Sequence, residues 1–196
     1  MPEPMEQARD LVARELRRWG GRMTKRHLEI NGRAVEVQAG PLDSLARVLA
    51  ERSLSVRASC DLDGCGGCRV LLDGELVDAC TVPMIHAEGA SVVTSEGLKS
   101  DPLLAPVRRA LARMEPRPCD ACLPGLLVAT RAFFDVDARL PGETAGEALS
   151  SDRCSCAGSA LFVELVEDLA RPVRSRPHAA PRAARQGRKP APRRRT

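Results

Sequence analysis

Eight cysteines carry whatever chemistry this 196-residue chain performs, and they fall into two sets of four. Cys60, Cys65, Cys68 and Cys80 lie in the run CDLDGCGGCRVLLDGELVDAC, separated by four, two and eleven residues. C-x4-C-x2-C with a distant fourth Cys is the spacing that grips a [2Fe–2S] cluster. Three thiolates on a tight loop wrap one side, and a hairpin returns the chain so that Cys80 closes the other. Gly64, Gly66 and Gly67 leave backbone N–H groups free to approach the sulfides, with no Cβ in the way. A structural zinc site and disulfides are the other uses open to such residues.

The second set is Cys119 and Cys122, then Cys154 and Cys156. A C-x2-C pair with a C-x-C pair can hold zinc or an iron–sulfur cluster, and spacing alone does not say which. Zinc sites usually show C-x2-4-C in both halves, so the tighter C-x-C tilts toward iron–sulfur. Thioredoxin-like exchange at Cys119-Asp120-Ala121-Cys122 lacks the βαβ surroundings it needs. His27, His86 and His178 do not sit at ligand spacings, and a Rieske centre would need two His in place of two thiols.

Composition sets the frame for these sites. Trp19, Phe133, Phe134 and Phe162 are the only aromatic residues, so a core must come from Leu, Val, Ala and Ile, with metal or disulfides adding stability. The net charge of +4 hides a division: from Arg171 onward there are ten Lys or Arg and no acid, whereas His27 to Ala170 holds 13 basic and 22 acidic side chains. The basic balance belongs to a tail, and nucleic-acid binding is not expected from it. No segment approaches the ~20 apolar residues of a membrane span, and no apolar run follows Arg17-Arg18. A cytoplasmic location is expected, where clustered thiols bind metal or do redox work more often than they form disulfides.

The elements that must position the thiols follow from periodicity. Met5, Ala8, Leu11, Val12, Leu16 and Trp19 recur at helical spacing and predict a helix over residues 4–19, in an N-terminal extension of residues 1–25. Leu28 and Ile30, then Val35 and Val37, alternate on either side of Asn31-Gly32, a hairpin signal. Asp43 or Ser44 can cap a helix carrying Leu45, Val48 and Leu49. RVLLDGELVDAC predicts a second hairpin turning at Asp73-Gly74, and SVVTS (91–95) a closing strand. Helices are expected over Leu103 to Met114, after Pro124, over Thr144 to Leu149 and over Gly158 to Ala170. After Pro172 the composition of Ala, Pro and Arg predicts disorder. The fold class expected is α+β: a first unit over residues 26–98, an all-α unit over 102–170, and a basic tail over 171–196.

With LEINGRAVEV, GCGGC…LDGELVDACTV, AEGASVVTSEGL, CDACLPG and the late CSC in this order, the chain resembles the small iron–sulfur subunit of the molybdenum hydroxylases. That family includes xanthine dehydrogenase, aldehyde oxidase and the aerobic, molybdenum type of carbon monoxide dehydrogenase. The resemblance covers roughly residues 27 to 170. It implies a β-grasp, ferredoxin-like domain followed by a four-helix domain, each binding one [2Fe–2S] cluster. It implies that Cys119, Cys122, Cys154 and Cys156 take electrons from a molybdenum-binding large subunit, while Cys60, Cys65, Cys68 and Cys80 pass them to a FAD-binding medium subunit. The chain departs from the family at Pro118, where Gln is usual, at Leu123 in place of Thr, and at Ser155, Ala157 and Ser159 of the late motif. The resemblance places these positions around the cluster facing the pterin. Asp61 and Asp63 add two carboxylates to the first loop, and this charge is expected to lower its cluster's potential.

The expected function is thus an electron-transfer subunit of a multi-subunit oxidoreductase, not catalytic alone. Two alternatives are a diverged two-cluster carrier for a redox enzyme without the usual pterin, and a zinc-stabilised binding module.

Overall fold

A computed structural model describes residues 23–57, 65–135, 144–149 and 156–174. The expected N-terminal helix over 4–19 and the tail beyond residue 174 lie outside the described residues, as do Cys60, Asp61, Asp63, Cys154 and Ser155.

The described chain opens with an antiparallel hairpin, β1 (Thr24–Ile30) and β2 (Arg33–Ala39). Asn31 and Gly32 turn it with φ of 51° and 78°, the left-handed pair that a two-residue turn between twisted strands requires. α1 (Leu45–Ala50) follows, with the Ser44 hydroxyl accepting the Arg47 N–H at 3.3 Å as its cap. A second hairpin joins β3 (Arg69–Leu72) to β4 (Glu75–Asp78) through Asp73 and Gly74. A 3-10 turn (Ala79–Thr81), the single-turn α2 (Met84–Ala87) and β5 (Ser91–Val93) complete this half.

The five strands form one mixed sheet in the order β2-β1-β5-β3-β4, with β5 parallel to β1 and antiparallel to β3. Asn31 fastens the first hairpin to the end of β5: its Nδ2 donates to Thr94 Oγ1 at 3.0 Å, and its Oδ1 accepts the Thr94 N–H at 2.9 Å.

Strand alternation divides the sheet between two cores. Val70 and Val92 point to the side covered by α1 and α2, in a core with Leu28, Ile30, Leu45, Leu49 and Met84. Leu71, with Leu76 and Val93 beside it, belongs to a second core on the opposite face. That core is built by helices: α3 (Ala105–Leu111), α4 (Leu123–Phe134), α5 (Ala145–Leu149) and α6 (Ala157–Arg174). Leu104, Val107, Leu126, Leu149, Phe162 and Val166 fill it, and α4 packs against β3 and β4. The result is an α+β fold.

α6 runs to Arg174, past Pro172 and four residues beyond the Ala170 end expected from sequence. α5 starts with a reciprocal cap, in which Thr144 Oγ1 accepts the Glu147 N–H (3.2 Å) and Glu147 Oε2 accepts the Thr144 N–H (2.8 Å). The segment between sheet and helices is pinned by two arginines. Arg108 donates to the Leu98 carbonyl (2.9 Å) and the Asp101 carbonyl (2.5 Å), and Arg131 Nε donates to Asp101 Oδ2 at 2.7 Å.

Candidate metal centre

Cys119 and Cys122 wrap the N-terminus of α4. The Cys122 and Leu123 N–H groups both donate to the Cys119 carbonyl (3.1 and 3.0 Å), and Pro124 enters the first turn, where no donor is lost. Cys156 immediately precedes α6. Its carbonyl accepts from both the Ser159 N–H (3.1 Å) and the Ser159 hydroxyl (2.9 Å). Two helix starts therefore converge, and the partial positive charge of each favours thiolates there.

The convergence depends on Gly158. A Cβ at that position would overlap the backbone of Arg117 and Pro118, so α6 can approach the strand of chain leading into Cys119 only where a side chain is missing. The Cys119 and Cys122 sulfurs then lie 3.4 Å apart, and the Cys122 and Cys156 sulfurs 3.6 Å. All three fall within 4.8 Å of one another, and among the described residues this is the one such group of His, Cys, Asp or Glu. Three convergent, partly to fully buried thiols are a donor set for iron in a cluster or for zinc.

The first set is organised by the second hairpin. Cys65 and Cys68 are buried and Cys80 is half-buried. The Ala79 N–H donates to the Cys68 carbonyl at 3.2 Å, which returns the chain beside the loop. Burial pushes the Cys68 thiol up to about 12, although the Cys80 backbone N–H donates to its sulfur and pulls the other way; the Cys80 thiol and the Asp78 carboxylate add to the rise. A metal bound by Cys68 displaces the thiol proton, so loading this site releases protons. Cys65, Cys68 and Cys80 do not gather within 4.8 Å of one another as the second set does, and it is the donor type, three thiols around one hairpin, that suits a metal or cluster here.

The two sets meet backbone to backbone. A Cβ at Gly125, on the first turn of α4, would overlap the Gly66 carbonyl oxygen and lie 3.2 Å from Gly67 Cα. A Cβ at Gly67 would stand 3.0 Å from the Ala121 carbonyl oxygen. The loop between Cys65 and Cys68 thus rests on the turn between Cys119 and Gly125. Neither contact follows from cysteine spacing; the CLPG and GCGGC glycines were the sequence signal for it. The histidines stand apart: His27 is exposed on β1 between Glu36 and Glu88, and His86 is on α2. Among the described residues no helix is long and apolar enough to cross a membrane.

No protein-family model matches the chain. It is 32% identical over 144 residues to the 6-hydroxypseudooxynicotine dehydrogenase complex subunit beta of Paenarthrobacter nicotinovorans, covering 72% of this chain and 90% of that one. It is 33% identical over 142 residues to the xanthine dehydrogenase iron-sulfur-binding subunit of Escherichia coli O157:H7, covering 71% and 89%. Among solved structures it aligns with quinoline 2-oxidoreductase from Pseudomonas putida 86 at a TM-score of 0.64 and 25% identity, covering 79% of this chain and 98% of that one. The aldehyde oxidoreductase from Desulfovibrio desulfuricans ATCC 27774 aligns at a TM-score of 0.62 and 31% identity, with this chain spanning 78% of itself and 17% of that longer protein. The chain belongs to the iron–sulfur subunits of xanthine dehydrogenase and related molybdenum hydroxylases, and is an electron-transfer component of an oxidoreductase complex that is not catalytic alone.

Proposed function

We propose that this chain carries two [2Fe–2S] clusters and relays electrons from a molybdopterin-bearing large subunit to a FAD-bearing medium subunit, in the cytoplasm. In this reading Cys119, Cys122, Cys154 and Cys156 hold the cluster nearer the molybdenum, and Cys60, Cys65, Cys68 and Cys80 the cluster nearer the flavin. Residues 26–98 then form a β-grasp, ferredoxin-like domain and residues 102–170 a four-helix domain. A bound [2Fe–2S] cluster supplies a carrier of one electron at a time. The protein's part is to hold the thiolates, shield them from water and fix how far apart the two sets stand.

The observation that carries this reading is the contact of Gly66 and Gly67 with Ala121 and Gly125. A zinc-stabilised module has no use for two thiol sets in backbone contact, whereas an electron relay needs its carriers close. Iron, sulfide and zinc content of the anaerobically purified chain, with EPR of the dithionite-reduced sample, tests it. The expected result is about four irons and four sulfides per chain with two distinguishable [2Fe–2S] signals. Zinc at the second set, with one signal remaining, would reduce the relay to the first site.

A further inference from the structure

Arg69 opens β3 directly after Cys68 and is only 7% exposed, which places a guanidinium inside the protein beside a candidate ligand. Alternation sets its direction. Val70 faces the core under α1 and α2, whereas Leu71 faces the core under α4. Arg69 shares the Leu71 side, between the sheet and the helix that carries Cys122 at its start. Directly across the ladder stands Asp78, and Arg69 Nε lies 3.7 Å from its Oδ1. The pair therefore spans the mouth of the second hairpin, Arg69 one residue after Cys68 and Asp78 two residues before Cys80 along the chain.

Stability alone gives a weak reason for such a pair. Removing two charges from water is costly, and apolar residues of similar volume often do as well or better. The surrounding positions, Val70, Leu71, Leu72, Leu76 and Val77, are all apolar. What a buried charge does at this place is act on the electrons beside it. Reduction adds one negative charge to a site already bounded by thiolates, and in a weakly screened interior a nearby cation stabilises the reduced form. The two charges do not cancel. The Arg69 side chain is 6% exposed and that of Asp78 33%, so water screens the carboxylate more than the guanidinium.

We propose that the Arg69–Asp78 pair sets the reduction potential of the iron–sulfur site assigned above to the first set of thiols, which includes Cys65, Cys68 and Cys80, with the guanidinium raising it and the carboxylate opposing. This rests on the two-cluster reading above. Arg69 and Asp78 act as positioning charges, touching no substrate.

The test is an EPR-monitored redox titration of the full chain as wild type, Arg69→Met and Asp78→Asn, with iron content measured in each. Arg69→Met is expected to move the first cluster to lower potential, and Asp78→Asn to move it to higher potential by a smaller amount. An unshifted or raised first potential in Arg69→Met at wild-type iron content overturns the assignment. Should Arg69→Met fail to take up iron, Asp78→Asn decides, and an unshifted or lowered potential there overturns it. A wild-type chain with no first-site signal overturns the two-cluster reading itself, an outcome distinct from normal signals with unmoved potentials.

Discussion

Glu96 and Cys156 show two different kinds of residue in one chain, one tuned by its hydrogen-bond neighbours and one set among converging thiols. The Glu96 carboxylate accepts the Ser55 N–H at 2.6 Å and the Thr94 hydroxyl at 2.5 Å. Burial by itself would raise its pKa, but these bonds to the charged form outweigh burial and hold it at about 2 against an ordinary 4.5. The folded chain therefore binds fewer protons than the unfolded one across that interval. The stabilisation is fully present above 4.5 and is lost as pH falls toward about 2. Glu96→Gln should flatten the fall of unfolding free energy between those two pH values, measured by denaturant titration at a series of pH points; an equally steep fall would contradict this. Cys156 carries a different expectation. Its sulfur stands 3.6 Å from that of Cys122, and on the two-cluster reading proposed above Cys156→Ser should remove one EPR signal and about half the iron. Retention of both signals would mean that the second set does not use it.

At the scale of elements, the parts written in local sequence were legible and the parts written in contact between distant segments were not. Asn31-Gly32 and Asp73-Gly74 announce their hairpins because each must supply the left-handed backbone of a tight turn, and all four residues adopt it. Ser44 announces α1 because a hydroxyl at that point satisfies an otherwise orphaned N–H. The parallel pairing of β5 with β1 carries no local mark, since a strand of only three residues, Ser91–Val93, fits either direction. Nothing in the local sequence marks Arg69 as buried; its burial follows from the sheet being covered on both faces there, by α1 and α2 on one side and α4 on the other. The junction of α4 with the first loop is marked in sequence only by the glycines at 66, 67 and 125, because it consists of missing side chains. Gly125→Ala tests that junction. The added methyl would drive the Gly66 carbonyl away, and such overpacking costs about 1–3 kcal/mol where neighbours must shift. A loss of that size in chemical denaturation is the expected result, together with slower electron exchange between the two sites in freeze-quench EPR. Unchanged stability would show that the loop yields freely.

Across the whole molecule the two cores differ in how they close. The first is a five-stranded sheet with α1 and α2 on it, held by ladders from Thr24 to Val93 and by Leu45, Leu49 and Met84 at 0% exposure. It contains Cys68, but most of its apolar contacts are independent of any thiol. The second is assembled from helices of 7, 12, 5 and 18 residues, too short for most of them to be stable alone. Two of those helices, α4 and α6, begin at the converging thiols, so a bound metal or cluster joins their ends and its binding energy becomes folding energy for that half. Removing metal anaerobically with a chelator should therefore loosen the molecule unevenly. Amide hydrogen exchange should accelerate in residues 105–111, 123–134 and 157–174, while β1, β2 and α1 keep most of their protection. β3 and β4 are the informative strands, because they belong to the first sheet yet carry α4 on their outer face. Exchange that rises in β3 and β4 while β1 and β2 stay protected would trace the loosening to the α4 contact. Equal acceleration in both halves would instead make the chain one cooperative unit, with the metal supporting the sheet as much as the helices.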